Sequence, residues 1–289
     1  MSNKDLLDNI KKLRELTGVG FKDCKSALDE TKGDIEKSIE LLRKKGIAKA
    51  SKRMSRIASE GLICISEKEN EFSIVEINCE TDFVAKNKEF INFVEEVSKL
   101  ALTKSGIIEN TLESEMKNKK SVKNNLVDLI SKIGEKLNFR RSEFVSKEKS
   151  INFSYMHSSI KQNVGKLGVL LSLETTKKKN EVSELGKHLA MHIAASSPLA
   201  IDKNSLNPNL LNKEREIITE ELKNSGKDTK IVEKIAMGKL NKFIMENTLL
   251  EQEWIMDPKK KVKDIIKEIA GKDKILIKKF IRFKVGEGV

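Results

Sequence analysis

Asn78-Cys79-Glu80-Thr81-Asp82-Phe83-Val84-Ala85-Lys86-Asn87 decides how this chain is read. The residues before it, 72–79, are apolar and β-branched enough to predict a strand. After it, Asn87 is placed as the N-cap of a helix that carries Phe90, Phe93, Val94, Val97 and Leu100 on one face. A strand therefore gives way to a helix within a few residues. A phenylalanine beside an aspartate on so tight a connection is energetically odd. Burying Phe fully is worth roughly 1.5–3 kcal/mol, so Phe83 is expected to have a pocket, in its own core or on a partner.

Working outward, residues 61–66 predict a strand that pairs with 72–79 across the polar turn Glu67-Lys68-Glu69-Asn70. Residues 103–120 read as polar and at first irregular. A helix with Val122, Leu126, Leu129, Ile133 and Leu137 follows, then a strand at 139–145. A second strand pair, 151–157 and 166–175, is separated by a longer polar loop, and a helix at 181–197 is stopped by Pro198. Two charged helices, 209–223 and 229–247, flank Asn224-Ser225-Gly226-Lys227-Asp228. Their apolar positions are too sparse for a globular core, which predicts a protruding antiparallel hairpin. That hairpin is the element expected to carry any self-association. A helix at 262–270 and a strand at 275–285 finish the pattern. Paired strands with helices between them, twice over, predict an α+β core of two related halves with antiparallel sheets.

Toward the N-terminus three short helices are expected. Leu6, Ile10, Leu13 and Leu16 recur at helical spacing until Thr17-Gly18-Val19-Gly20 breaks the run. Phe21, Cys24, Ala27 and Leu28 mark the second helix, which stops near Gly33. Asp34 caps the third, with Ile35, Ile39 and Leu42, and Gly46 is expected to end it. The expected organisation is a three-helix domain with a basic connector over 1–54, a core subdomain over 55–147 and a second over 148–289. The hairpin is inserted in the last at about 206–247.

At 289 residues and 38% hydrophobic content the chain can bury several small cores. The first residues lead into no apolar run, and no stretch approaches the ~18–20 apolar residues of a membrane span. A cytoplasmic protein is expected. Cys24, Cys64 and Cys79 are odd in number and far apart, which fits neither a disulfide framework nor a thiolate zinc site. All three read as small buried hydrophobes. The net charge of +12 invites nucleic-acid binding, and seven Lys/Arg without an acid run from Arg43 to Arg56. With one Trp and one Tyr, a stacking platform for single strands is poorly supplied. Such a run is more often a solvated face. A basic ribosome- or RNA-binding protein therefore stands second to a protein that works through protein contacts.

Catalytic readings find no support. Each Gly-Lys dipeptide is followed by Leu, His or Asp and never by the Ser/Thr of a phosphate-binding loop. Neither direct nucleotide binding nor a cofactor is expected. His188 and His192 have zinc-pair spacing, but Leu189 stands where a metalloprotease needs its Glu. They read as histidines of a packed or partner-facing helix, with no metal expected and no enzyme.

The opening segment closely resembles the signature of bacterial translation elongation factor Ts. Further stretches match the same family in order. They are Leu13-Arg14-Glu15-Leu16-Thr17-Gly18-Val19-Gly20 with Asp23-Cys24-Lys25, and Lys132-Ile133-Gly134-Glu135 with Arg140-Arg141. Next comes Lys187-His188-Leu189-Ala190-Met191-His192-Ile193-Ala194-Ala195-Ser196 with Pro198. Leu249-Leu250-Glu251-Gln252 with Met256-Asp257-Pro258, and Arg282-Phe283-Lys284-Val285-Gly286-Glu287-Gly288, complete the series.

The resemblance implies guanine-nucleotide exchange on elongation factor Tu. Thr81, Asp82, Phe83 and Val84 match the segment that enters the partner's G domain, where Phe83 wedges beside a switch helix and disturbs the magnesium site. Ile133 and Gly134 match positions near that contact. Arg14, Phe21 and Lys25 fall in a ubiquitin-associated-like module that grips a G-domain helix. His157 matches a histidine facing another domain of the partner. The chain departs from the pattern at Phe21, where methionine is common, and at Glu253-Trp254, where Pro-Phe is usual. Many relatives continue past the position of Val289 into a further helix, and its contact is expected to be missing.

Overall fold

The computed structural model describes residues 3–17, 19–53, 55–223 and 229–289. Gly18, Met54 and the expected hairpin turn at 224–228 lie outside the described residues. The chain opens with helices α1 (Asn3–Thr17), α2 (Phe21–Glu30) and α3 (Ile35–Arg53). Ile10, Leu13, Cys24, Ala27, Leu28 and Leu42 form their small shared core. Asp34 starts α3 as expected, its carboxylate accepting from the Lys37 amide at 3.0 Å. Gly46 does not end α3, which continues to Arg53. Its missing side chain instead allows a close helix crossing. A Cβ at Gly46 would lie 3.0 Å from Ser131 Oγ, on a helix of the core. Much of the basic run from Arg43 is thus helical.

The core follows in the order β1 (Glu60–Lys68), β2 (Glu71–Cys79), α4 (Asp82–Ala85), α5 (Lys88–Thr103), α6 (Ile108–Leu112), α7 (Val122–Ile133), β3 (Asn138–Val145), β4 (Ile151–Lys161), β5 (Val164–Thr175) and α8 (Lys179–Ser196). α6 puts a short helix into the segment read as irregular. β4 and β5 extend through most of the stretch read as a longer loop, because Ser159 pairs with Gly165 and Lys161 with Val164. α9 (Pro208–Lys223) and α10 (Thr229–Asn247) form the antiparallel hairpin, held at its base by Ala200, Leu206 and Ile244. The short strands β6 (Glu253–Trp254) and β7 (Asp257–Lys261), helix α11 (Val262–Ala270) and strand β8 (Ile275–Lys284) end the chain.

The fold is α+β. Strands β1 to β5 and β8 make one antiparallel sheet of six, ordered β3-β2-β1-β5-β4 with β8 on β5. β1 and β5 pair only at Ile63 with Gly165 and Cys64 with Val164, so the sheet is narrow there. The two halves close on each other across a shared cluster of Ile63, Ile65, Phe72, Ile74, Leu170, Ile281 and Phe283. Gly168 permits this approach, since a Cβ there would meet Ile63 at 2.9 Å. β2 is consequently buried along nearly its whole length, its polar residues Ser73, Glu76 and Asn78 included. α5 and α7 cover the outer face of the first half through Phe90, Val94, Val97, Leu129 and Ile130. α8 and α11 cover the second through Leu185, Leu189, Ile193 and Ile266. We propose to keep 55–147 and 148–289 as subdomains of one core, since each has its own outer cluster and both share the inner one.

Candidate functional site

The segment that opened the sequence reading emerges from buried β2 and turns through a single helical turn into α5. Thr81 is the N-cap of α4, in extended conformation, and its hydroxyl accepts from the Val84 amide at 3.4 Å. Asn87 caps α5 as expected, accepting from the amides of Glu89 and Phe90. Between these caps Val84 and Ala85 face inward and are buried. Phe83 points the other way and is 80% exposed. A buried Phe83 is thereby excluded for the isolated chain.

Val84, expected among the contact residues, is turned inward in the free chain. At 8% exposure it packs in the chain's own core with Leu62, Phe90 and Val94. Successive residues of a helix are offset by about 100°, which lets Phe83 face solvent while Val84 and Ala85 both face the core. Asp82 lies beside Phe83 and is bound by Lys86 at 2.7 Å. The Lys86 hydrogen bond, and less strongly the Lys86 and Lys166 charges, hold its carboxyl below the ordinary value. It is an anion at neutral pH. An exposed ion pair of this kind is weak and screened by salt, so Asp82 can exchange Lys86 for other partners.

Ile133 and Gly134 approach the same turn through the residue that follows them. α7 ends at Gly134, whose φ of 91° is left-handed and whose amide closes on the Ile130 carbonyl at 3.0 Å. This delivers Glu135 beneath the wedge. One oxygen of its carboxylate accepts from the Glu80 and Thr81 amides at 3.1 and 3.0 Å, and the other from the Thr81 hydroxyl at 2.6 Å. Glu80 turns away, accepting from the Lys136 amide at 2.6 Å and from Arg56 at 3.2 Å. Glu135 lies in the Lys132-Ile133-Gly134-Glu135 motif, which by itself assigns it no role. The legible signal was an acid placed directly after a helix-ending glycine.

The other expected residues occupy other elements. Arg14, Phe21 and Lys25 are all exposed on α1 and α2 of the three-helix module. His157 is exposed on β4, its Nδ1 3.0 Å from the Tyr155 hydroxyl. Both line a cavity of about 740 Å³ between the second half of the sheet and α8. Lys166, paired with Glu60 at 2.6 Å, forms part of its wall.

The histidine pair separates in role. His192 is fully buried, stacked on Trp254 with ring centroids 5.3 Å apart and bonded through Nε2 to Gln252 Oε1 at 3.0 Å. Burial lowers its pKa, so it is neutral, with Nδ1 facing the Ile255 amide and the Nε2 proton given to Gln252. The departure at Trp254 thus has a packing partner. The three cysteines are buried, and burial pushes the thiols of Cys64 and Cys79 up to about 12. Among the described residues no helix is long and apolar enough to cross a membrane.

A three-helix module, a two-part α+β core, a projecting helical hairpin and an exposed aromatic on a braced turn define a multi-module α+β protein. The family model for elongation factor Ts matches residues 80–287. The elongation factor Ts of Clostridium kluyveri is 44% identical over 289 aligned positions, covering 97% of this chain and 92% of that protein. Those of Methylorubrum populi and Rhodospirillum centenum are each 41% identical with the same coverage. The chain belongs to the elongation factor Ts family, a family of translation elongation factors.

Proposed function

We propose that this chain is a guanine-nucleotide exchange factor that binds GDP-loaded elongation factor Tu and promotes GDP release by inserting Asp82 and Phe83 near the magnesium and switch region. The observation that carries the reading is Phe83, 80% exposed on a turn fixed from both sides. An exchange factor needs no acid, base or cofactor of its own. It must hold the nucleotide-free partner more tightly than the GDP-bound one, because only differential affinity shifts an equilibrium. A preformed aromatic that fills a pocket open only in the empty state provides that difference. Asp82, kept anionic beside Lys86, adds negative charge where magnesium and phosphate would otherwise be balanced.

In this reading Ile133 and Gly134 support the wedge from beside it. Arg14, Phe21 and Lys25 supply a second grip through the three-helix module, and His157 a third at the cavity on the second subdomain. The site of action is the cytoplasm. The test is release of fluorescent GDP from the cognate elongation factor Tu, with and without this chain. Acceleration at substoichiometric amounts is the expected result; an unchanged release rate refutes the proposal.

A further inference from the structure

We propose that Glu135 is a positioning residue that aims the Asp82-Phe83 wedge, an inference that rests on the exchange reading above. α4 is four residues long, and a single helical turn is an unfavourable nucleus in water. Its most prominent side chain, Phe83, faces solvent and adds almost no packing energy. Two supports remain. Val84 and Ala85 anchor the turn from within, and the Glu135 carboxylate holds its entry.

The second support controls direction. With both amides at 80 and 81 on one Glu135 oxygen, the backbone entering α4 is pinned at two successive peptide planes. With the Thr81 hydroxyl proton given to the other oxygen at 2.6 Å, a lone pair of that hydroxyl is left for the Val84 amide. Glu135 therefore also orients the N-cap. Its own placement comes from left-handed Gly134 and the Ile130 carbonyl. Arg53 of α3 donates to that same carbonyl at 3.1 Å. A continuous run of contacts thus joins the three-helix module, the end of α7 and the wedge.

The Glu135→Ala, Glu135→Gln and Phe83→Ala variants separate this role from mere stability. GDP release from elongation factor Tu is measured over a range of factor concentrations. Glu135→Ala should lower the maximal release rate by about tenfold or more, the scale on which misplaced groups act. The half-saturating concentration should change by less than about threefold, since the other two grips persist. Glu135→Gln should recover most of the rate, because its amide oxygen accepts from both backbone N–H groups and its NH₂ donates to Thr81 Oγ1. On a Phe83→Ala background, Glu135→Ala should add less than about twofold. A full additional loss there would show that Glu135 acts elsewhere and would overturn the inference.

Amide hydrogen exchange on the free chain supplies a readout that needs no partner. Glu135→Ala should speed exchange at Glu80 and Thr81 while leaving β2 protected. Unchanged protection at both amides, or wild-type release by Glu135→Ala, overturns the positioning role. Failure of the wild-type chain to release GDP would instead sink the exchange reading and leave the hydrogen-exchange result standing.

Discussion

Replacing Phe83 by Ala separates folding from partner action more cleanly than any other change. Only about a fifth of the side chain is covered in the free chain, given 80% exposure. At roughly 1.5–3 kcal/mol for full burial, the folded state should lose about 0.3–0.6 kcal/mol. For a chain of this size that lowers Tm by about 1–2 °C. The remaining four-fifths is available to a partner, roughly 1.2–2.4 kcal/mol by the same coefficient. That converts to about 8- to 60-fold in the coupling between factor binding and GDP loss. The assay is stopped-flow release of fluorescent GDP from elongation factor Tu, run beside a thermal melt. A Tm lowered by about 10 °C or more would mean that Phe83 is core after all. A wild-type release rate with an intact fold would mean that the exposed aromatic is not the wedge. Either outcome refutes the reasoning.

Three further perturbations test the framework that presents the site. Glu76 is fully buried and accepts from Arg140 at 3.0 Å, Arg141 at 2.5 Å, Asn78 at 2.9 Å and the Gly286 amide at 2.9 Å. Glu76→Ala should cost about 3–5 kcal/mol in urea denaturation, since it leaves two guanidinium groups without their buried counter-charge. Burial alone would raise the Glu76 pKa, but these hydrogen bonds and the Arg141 charge bring it below the ordinary 4.5. Its contribution is therefore complete above about pH 4.5 and lost as pH falls through the lower folded value, and an acid titration of Glu76→Gln should lack that component. Gly186→Ala would place a methyl 2.4 Å from the Phe153 ring, and differential scanning fluorimetry should show a loss of about 1–3 kcal/mol or more. Iodoacetamide at pH 7.5 should leave Cys24, Cys64 and Cys79 unmodified until urea unfolds the chain, because burial raises all three thiol pKa values; mass spectrometry of native and denatured samples checks this.

What was legible in the sequence is what local rules determine. Asn87 and Asp34 declare helix starts because an amide-bonding side chain is useful only there. The alternation and apolar runs of β1 and β2 declare strands. Gly46 misled because a glycine serves two ends, a left-handed stop or a close approach, and only tertiary contact with Ser131 chooses between them. The reading of 158–164 as loop failed for a related reason. Polar residues on an exposed hairpin carry no periodic signal, although their backbones still pair. Phe83 was recognisable as an anomaly, but its direction was not, since either a core or a partner could have claimed it. A linear motif does not show that Val84 faces the core beside an outward Phe83; the turn of α4 decides that. Glu135 stayed silent because its role is a separation of 54 residues from Thr81, invisible to any local pattern.

The meeting of distant motifs also explains why so exposed a turn can be rigid. Arg140 and Arg141 reach from β3 to Glu76 on β2 and to the carbonyls of Glu287 and Lys284, while Arg141 lies 4.1 Å above the Phe283 ring. The strand that feeds the wedge is thus tied to both its neighbour and the chain's last strand. An exposed aromatic on a loose loop would spend much of its binding energy on being ordered, at about 0.5–1.5 kcal/mol for each immobilised side chain and more for the backbone. Here the ordering is completed during folding, by buried β2 below and Glu135 at the entry. For the exchange activity proposed, that difference has a direction. A wedge already in place loses none of its apolar burial to ordering when the pocket of the empty partner opens, so all of that burial is available to favour the empty state. Rigidity of the turn, rather than the phenylalanine alone, is then what converts contact into release.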